Sequence, residues 1–216
     1  RIAAMFHART ASPSAPPDAC APQGVNLLQV CPTTRPYPLL DFLRVSPLLR
    51  SDIGRGSPGI PLTLRFELRD AQARPIPRAA VYIWHHDPRG WTIDFQGHEL
   101  DAVSRMRGVQ VSDEDGLVGF QTVYPARYRD GSVPVYLQIY LNDGQQVTGR
   151  TDVCVLLPHQ AGGPLRGIPL ALPVPGRAER PRFNAAGDAA VLRLERLGFD
   201  TTQGGLLGHV RIDLAL

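Results

Sequence analysis

The chain has 216 residues, of which 43% are hydrophobic and 20% charged, and its net charge at pH 7 is +3. This composition argues against wholesale disorder and is sufficient for a core that needs no metal or disulfide to hold it together. The cationic side chains are scattered among 20 acidic residues without a basic run, so nucleic acid is not an expected partner. No stretch approaches the roughly 20 apolar residues of a membrane-spanning helix, so no membrane span is expected.

The first part of the chain is rich in proline and has little periodicity. Residues 1–36 are therefore predicted to be an extended N-terminal arm, and residues 37–216 a single domain. The Ser/Ala/Pro-rich start is typical of a spacer after a cleaved export signal, which predicts a secreted, cell-surface or periplasmic protein.

The three cysteines do not have the spacing of a zinc or redox pair. A disulfide between Cys20 and Cys31 would close a small loop and would fit an oxidising compartment. Cys154, in TDVCVLLP, is predicted to be a buried strand residue. The alternative, three unpaired buried thiols, stays open.

The rest of the chain shows strand patterns separated by turn signals. Residues 62–70 alternate apolar and polar residues, so Leu62, Leu64, Phe66 and Leu68 are predicted to share one face. The segments AVYIWHHD, GLVGFQTVYP, VPVYLQIYLND and DVCVLLP are predicted strands, with turns at DEDG, RDGS and NDGQ. A Gly/Pro-rich stretch over 160–181 is predicted to be a long loop, and LLGHVRIDLAL a closing strand. The pattern predicts an all-β sandwich.

Four segments, in order, also resemble a known family: CPTTRPYPLLDFLRVSPLLRSDI, ARPIPRAAVYIWHHDPRGW, MRGVQVSDEDGLVGFQTVYPARY and DGSVPVYLQIYL. Over about residues 31–216 they are similar to the extracellular branch of the intradiol ring-cleavage dioxygenases. The resemblance implies that family's β-sandwich. It also implies a site at which, in the family, two tyrosines and two histidines hold a ferric ion and a catechol is opened between its hydroxyl-bearing carbons.

The resemblance also shows where those iron ligands would fall in this chain. The second tyrosine falls on Tyr128, and the first falls on Thr92, or on Trp91 if the alignment shifts by one residue. The His-x-His pair falls on Val135 and Leu137. Ferric iron prefers anionic oxygen donors and imidazoles, which three of these four positions do not offer. The resemblance therefore implies a vacated pocket at these five residues, with no catalytic residue and no metal, Tyr128 being the one retained ligand position.

The adjacent histidines His85 and His86 invite a metal-site interpretation. Neighbouring side chains on a strand point to opposite faces, so the two imidazoles are not expected to bind one ion together. In the family that the chain resembles, the Trp-His pair is part of the scaffold, so the resemblance implies that Trp84 and His85 are packing and hydrogen-bonding residues.

The first functional hypothesis is an exported, non-catalytic dioxygenase-like protein without a cofactor, which has a structural or binding role. It would act in a homo-oligomer or with other protein subunits, through the N-terminal arm or the edge strands. One alternative is an Fe3+-dependent dioxygenase that acts on catechol-type aromatics with a rearranged iron site. Another is a binder of small aromatic ligands.

Overall fold

The structure, a computed structural model, describes residues 27–32, 38–88, 106–127, 132–157, 190–191, 193–196 and 205–216. These residues form eleven strands and one short helix, α1 (Leu39–Leu43), and contain no helix long and apolar enough to cross a membrane. The strands are β1 (Leu27–Gln29), β2 (Cys31–Pro32), β3 (Pro61–Asp70), β4 (Ala80–Trp84), β5 (Arg107–Val111), β6 (Leu117–Val123), β7 (Val133–Asn142), β8 (Val147–Leu157), β9 (Ala190–Val191), β10 (Arg193–Arg196) and β11 (Leu206–Ala215).

The strands form two sheets. The five-stranded sheet has the order β1-β11-β3-β6, with β10 also paired to β11. The six-stranded sheet has the order β2-β8-β7-β4-β5, with β9 also paired to β8. The predicted all-β sandwich is thus confirmed, whereas the predicted loop over 160–181 and residues 1–26 of the predicted arm lie outside the described residues.

The core lies between the two sheets and is built by alternate residues of the long strands. The prediction for β3 is confirmed, because Leu62, Leu64, Phe66 and Leu68 are all buried in this layer. Burial of apolar side chains of this size stabilises a fold by about 1.5–3 kcal/mol each. The second strand-residue prediction is confirmed too, since Cys154 is buried in β8.

One open side of the sandwich is closed by residues 48–54, here called the edge strap. The strap lies beside β5 of one sheet and β6 of the other, and its backbone bonds to both strands. The N–H of Val109 donates to the carbonyl of Leu48 (2.7 Å), and that of Gln121 donates to the carbonyl of Ser51 (2.8 Å). Two edge strands whose backbone groups would otherwise face solvent are thereby paired.

The strap approaches β5 so closely that Gly108 has no room for a side chain. A Cβ at this position would lie 2.5 Å from Cγ2 of Ile53 and 3.0 Å from the carbonyl oxygen of Arg50. The change Gly108→Ala is therefore expected to displace the strap and to lower the free energy of unfolding by about 1–3 kcal/mol, as overpacking does elsewhere. Urea denaturation measures the effect, with Gly119→Ala as the control, because a Cβ at Gly119 meets only one atom, at 4.0 Å. Equal stability of the two variants would contradict the close approach.

The opposite side of the sandwich is bordered by two segments that cross from one sheet to the other. Residues 27–32 pair first with β11 and then with β8, whereas residues 190–191 pair with β8 and residues 193–196 with β11. Residues 27–32 of the predicted N-terminal arm are therefore paired to strands of their own chain.

Candidate functional site

The strand β7 is the one on which the resemblance places the His-x-His pair. Val135 and Leu137 lie in the layer between the sheets, and both are 0% exposed. Leu137 is paired with Ile83 of β4 on one side and with Val153 of β8 on the other. Aliphatic side chains thus fill the space at both positions.

The other residues of the predicted pocket, Thr92, Trp91 and Tyr128, lie outside the described residues, as does Cys20. The backbone of Cys31 is part of β2, but its side chain is not among those described. The vacated pocket and the disulfide therefore remain predictions.

The absence of an imidazole from β7 does not depend on the alignment. A shift of one residue would move the pair to Tyr136 and Gln138, which follow Val135 and Leu137 and face the other side of the sheet. The sequence of β7, VPVYLQIYLN, contains no histidine in either register. The donors of this strand therefore do not fit the imidazole pair of a ferric site. Within the described ranges, no group of three or more His, Cys, Asp or Glu residues could hold a metal ion.

The outer face of the six-stranded sheet carries three stacked aromatic rings, here called the aromatic wall. The ring of Trp84 lies between those of Tyr82 and Tyr136, with centroid distances of 5.1 and 5.4 Å and interplanar angles of 28° and 25°. Tyr82 and Trp84 are two residues apart on β4, and Trp84 is paired with Tyr136 of β7, so strand geometry alone brings the rings together. Trp84 is the least buried of the three.

Two arginines lie at the Tyr82 end of the wall. The buried guanidinium of Arg107 donates from Nη1 to the Tyr82 hydroxyl (3.4 Å), and Arg50 donates from Nε (3.0 Å) and Nη2 (2.6 Å) to the Arg107 carbonyl. Burial raises the pKa of Tyr82, and the two positive charges oppose that effect. Tyr82 is therefore a neutral phenol, and this end of the wall is electropositive.

His85 has a structural setting, as the family resemblance implied. It follows β4 on the side that faces the core, and its imidazole reaches across the core to the other sheet, where Nε2 lies 2.8 Å from the hydroxyl oxygen of Thr122 in β6. Its Nδ1 lies 2.6 Å from the carbonyl oxygen of His86. Burial lowers the pKa of His85 to about 4. The ring stacking of Trp84 and the hydrogen bonds of His85 agree with the prediction of packing and hydrogen-bonding residues.

The aromatic wall was not predicted from the sequence as a feature, although its signal is present. AVYIW and PVYLQIY each place an aromatic side chain at alternate positions, opposite to the aliphatic side chains that face the core. To predict the wall, it would have been necessary to know that β4 pairs with β7 and that Trp84 lies opposite Tyr136.

Comparisons with known proteins give partial matches. No family model matches the chain. The catechol 1,2-dioxygenase of Acinetobacter baylyi is 33% identical over 79 residues, which span 37% of this chain and a quarter (25%) of that protein.

Two solved structures are similar over most of the chain. The dioxygenase domain of a dioxygenase and carbohydrate-binding protein fusion from Streptomyces sp. SirexAA-E is 20% identical, with a TM-score of 0.51, over 78% of this chain and 88% of that domain. An intradiol ring-cleavage dioxygenase from Tetranychus urticae is 22% identical, with a TM-score of 0.52, over 79% of this chain and 87% of that one. At these identities the similarity concerns the fold.

Proposed function

On the fold of the intradiol ring-cleavage dioxygenases, which this chain has, we propose a non-catalytic protein with a binding or structural role. The observation that carries the proposal is the composition of β7, which has no imidazole on either face and has fully buried Val135 and Leu137 on the inner one. A shared fold does not determine function, which depends on the residues of the site. Two imidazoles of the family's ferric site have no counterpart on this strand.

The test is iron binding and catechol turnover by the purified full chain. After incubation with Fe3+ and dialysis, the protein is expected to hold far less than one iron per chain, to lack the visible absorption of Fe(III)-tyrosinate, and to leave catechol uncleaved. The Acinetobacter baylyi catechol 1,2-dioxygenase, treated in the same way, is the positive control. Stoichiometric iron with that absorption, or ring cleavage above the metal-free background, would establish the alternative, a dioxygenase with a rearranged iron site.

A second candidate is the binding of a small aromatic ligand, which the aromatic wall supports. Trp84 lies between two buried tyrosines and is itself half-buried, so the exposed edge of its ring is the part that a ligand ring could contact, for about 0.5–1.5 kcal/mol beyond the area burial. Catechol is the probe, and isothermal titration calorimetry measures its binding. The change Trp84→Ala should weaken the binding, whereas His209→Gln on the opposite sheet should not. Binding of catechol that is unaffected by Trp84→Ala would exclude the wall as the binding surface.

Export and assembly are the remaining parts of the proposal. They are supported by the Ser/Ala/Pro-rich composition of residues 1–26, which is typical of spacers and extended arms. Residues 27–32 pair with their own chain, so an assembly through the arm would use residues 1–26. Removal of residues 1–26 is expected to abolish self-association in size-exclusion chromatography without unfolding the domain. Unchanged association would exclude the arm.

A further inference from the structure

Three buried side chains in contact with one another connect the two sheets, and the proposed function makes no use of them. This set, here called the His85 network, runs from His85 to Thr122 and ends at Met106, whose sulfur lies 3.6 Å from the hydroxyl oxygen of Thr122. All three residues are buried, with 3%, 6% and 3% of their surface exposed. The backbone of Met106 is held at both ends, because its N–H donates to the Ile53 carbonyl and its carbonyl accepts from the N–H of His85.

The partners of the imidazole determine where its protons lie. The His86 carbonyl can only accept a hydrogen bond, so Nδ1 of His85 carries a proton and donates it. In the neutral imidazole Nε2 then carries no proton and accepts a hydrogen bond from the Thr122 hydroxyl. The Met106 sulfur is at that point a neighbour of the hydroxyl oxygen without being the acceptor of its proton.

We propose that the His85 network is an acid-responsive latch between the two sheets. Proton uptake at Nε2 of His85 reverses the direction of the hydrogen bond with Thr122 and turns the hydroxyl proton towards the Met106 sulfur. One proton enters from solvent and binds Nε2, no covalent bond between heavy atoms changes, and each donor keeps an acceptor. The imidazolium donates from Nδ1 to the His86 carbonyl and from Nε2 to Thr122. Hydrogen bonds donated by an imidazolium are stronger than those of a neutral ring, so proton uptake is opposed by the placing of a positive charge in a desolvated core and not by the bonds themselves.

The surroundings favour the neutral form above mildly acidic pH. The negative charge of Asp87 is the nearby charge that favours the imidazolium, but desolvation outweighs it. Tyr124 lies two residues after Thr122 and is uncharged, because burial raises its pKa. The strap contributes an aliphatic neighbour, Ile53, whose carbonyl accepts from the N–H of Met106. Thr122 and Met106 are therefore the groups whose hydrogen bonds can rearrange when Nε2 becomes protonated.

The test is an NMR titration of the His85 ring in the full chain, with three proteins compared. Met106→Leu keeps the apolar volume but removes the terminal acceptor, so the Thr122 hydroxyl would have no acceptor once Nε2 is protonated. Its His85 should bind the proton about threefold more weakly, as expected from the loss of a weak hydrogen bond of about 0.6 kcal/mol. Thr122→Ser keeps the hydroxyl and should titrate as the unmodified chain does.

A second measurement on the unmodified chain does not depend on any variant folding. The nitrogen chemical shifts should show a protonated Nδ1 and an unprotonated Nε2 at neutral pH, with protonation of Nε2 on acidification while the fold persists. Protonated Nε2 at neutral pH would overturn the latch, and so would an unchanged His85 titration in Met106→Leu. Neither result bears on iron binding, so failure of the latch and failure of the proposed function are distinguishable.

Discussion

The free energy of unfolding is expected to fall by about 3 kcal/mol as the pH decreases from 6.5 towards 4, because His85 must take up a proton in the core. Its pKa is about 4 in the folded chain, against an ordinary value of 6.5. Between these values the unfolded chain binds more protons than the folded chain, so stability increases with pH. A difference of about 2.5 pKa units corresponds to roughly 3 kcal/mol. The contribution is complete above pH 6.5, and below pH 4 this group causes no further loss.

Urea denaturation at a series of pH values measures this dependence. His85→Gln cannot titrate, so its stability should be lower at neutral pH but should change much less between pH 6.5 and 4. The matched control is His209→Gln, in which a half-exposed histidine on the outer face of the five-stranded sheet is replaced and the pH dependence should persist. Equal pH dependence in the unmodified chain and His85→Gln would show that other groups cause the acid loss.

Such a loss would be a large part of the total stability of the chain, since domains are typically stable by about 5–15 kcal/mol. The prediction and the proposed latch concern the same imidazole but different quantities. The pH dependence of stability follows from the burial of His85 alone. The latch describes how the hydrogen bonds of Thr122 and Met106 rearrange when the imidazole takes up its second proton.

The alternation of β3 was sufficient to predict its inner face, because only one side of that strand is packed. Leu62, Leu64, Phe66 and Leu68 face the core, while charged residues such as Glu67 and Arg69 lie on the outer face. The sheet is mixed, with β3 parallel to β11 and antiparallel to β6, and one of its faces is more exposed than the other, so the hydrophobic pattern of β3 matches its burial pattern.

The strand β7 could not be interpreted in this way, because both of its faces are buried. Apolar side chains such as Val135 and Leu137 face the core, and Tyr136 and Tyr140 are buried on the other side. Burial therefore does not distinguish the two faces of this strand, and the mark of the inner face in the sequence is the alternation of aliphatic residues with Tyr136, Gln138 and Tyr140. The pairing of Leu137 with Ile83 determines the face, and this pairing is a tertiary feature.

The edge strap and the crossing segments were missed for a different reason. They are held by backbone hydrogen bonds to distant strands, and such bonds place little demand on residue type. The strap bonds to β5 and β6, about 60 to 70 positions later in the chain, and has no periodic pattern of its own. The trace it leaves in the sequence is the glycine at position 108, whose role is visible only when Ile53 and Arg50 lie beside it.

Introducing a His-x-His pair at Val135 and Leu137 is expected to destabilise the chain by about 4 kcal/mol or more. Both side chains are 0% exposed and lie between the sheets. Each imidazole would remove apolar packing and would bring two polar nitrogens into a layer lined by Ile83, Val153 and Val155. Lost packing and an unsatisfied buried polar group each cost about 1–3 kcal/mol, so two such changes approach the total stability of a domain.

The adjacent residue offers a matched control, because Gln138 follows Leu137 on the opposite face and is half-buried. Leu137→His alone should lower the free energy of unfolding by at least 2 kcal/mol, and Gln138→His by less than about 1 kcal/mol. Urea denaturation with and without Fe3+ separates the outcomes for the double variant. A folded V135H/L137H chain that takes up one iron per chain with tyrosinate absorption would support the predicted vacated pocket and its retained Tyr128. A double variant that is as stable as the unmodified chain without iron would contradict the close packing of this layer. Destabilisation that Fe3+ does not reverse would mean that the space at positions 135 and 137 belongs to the apolar core.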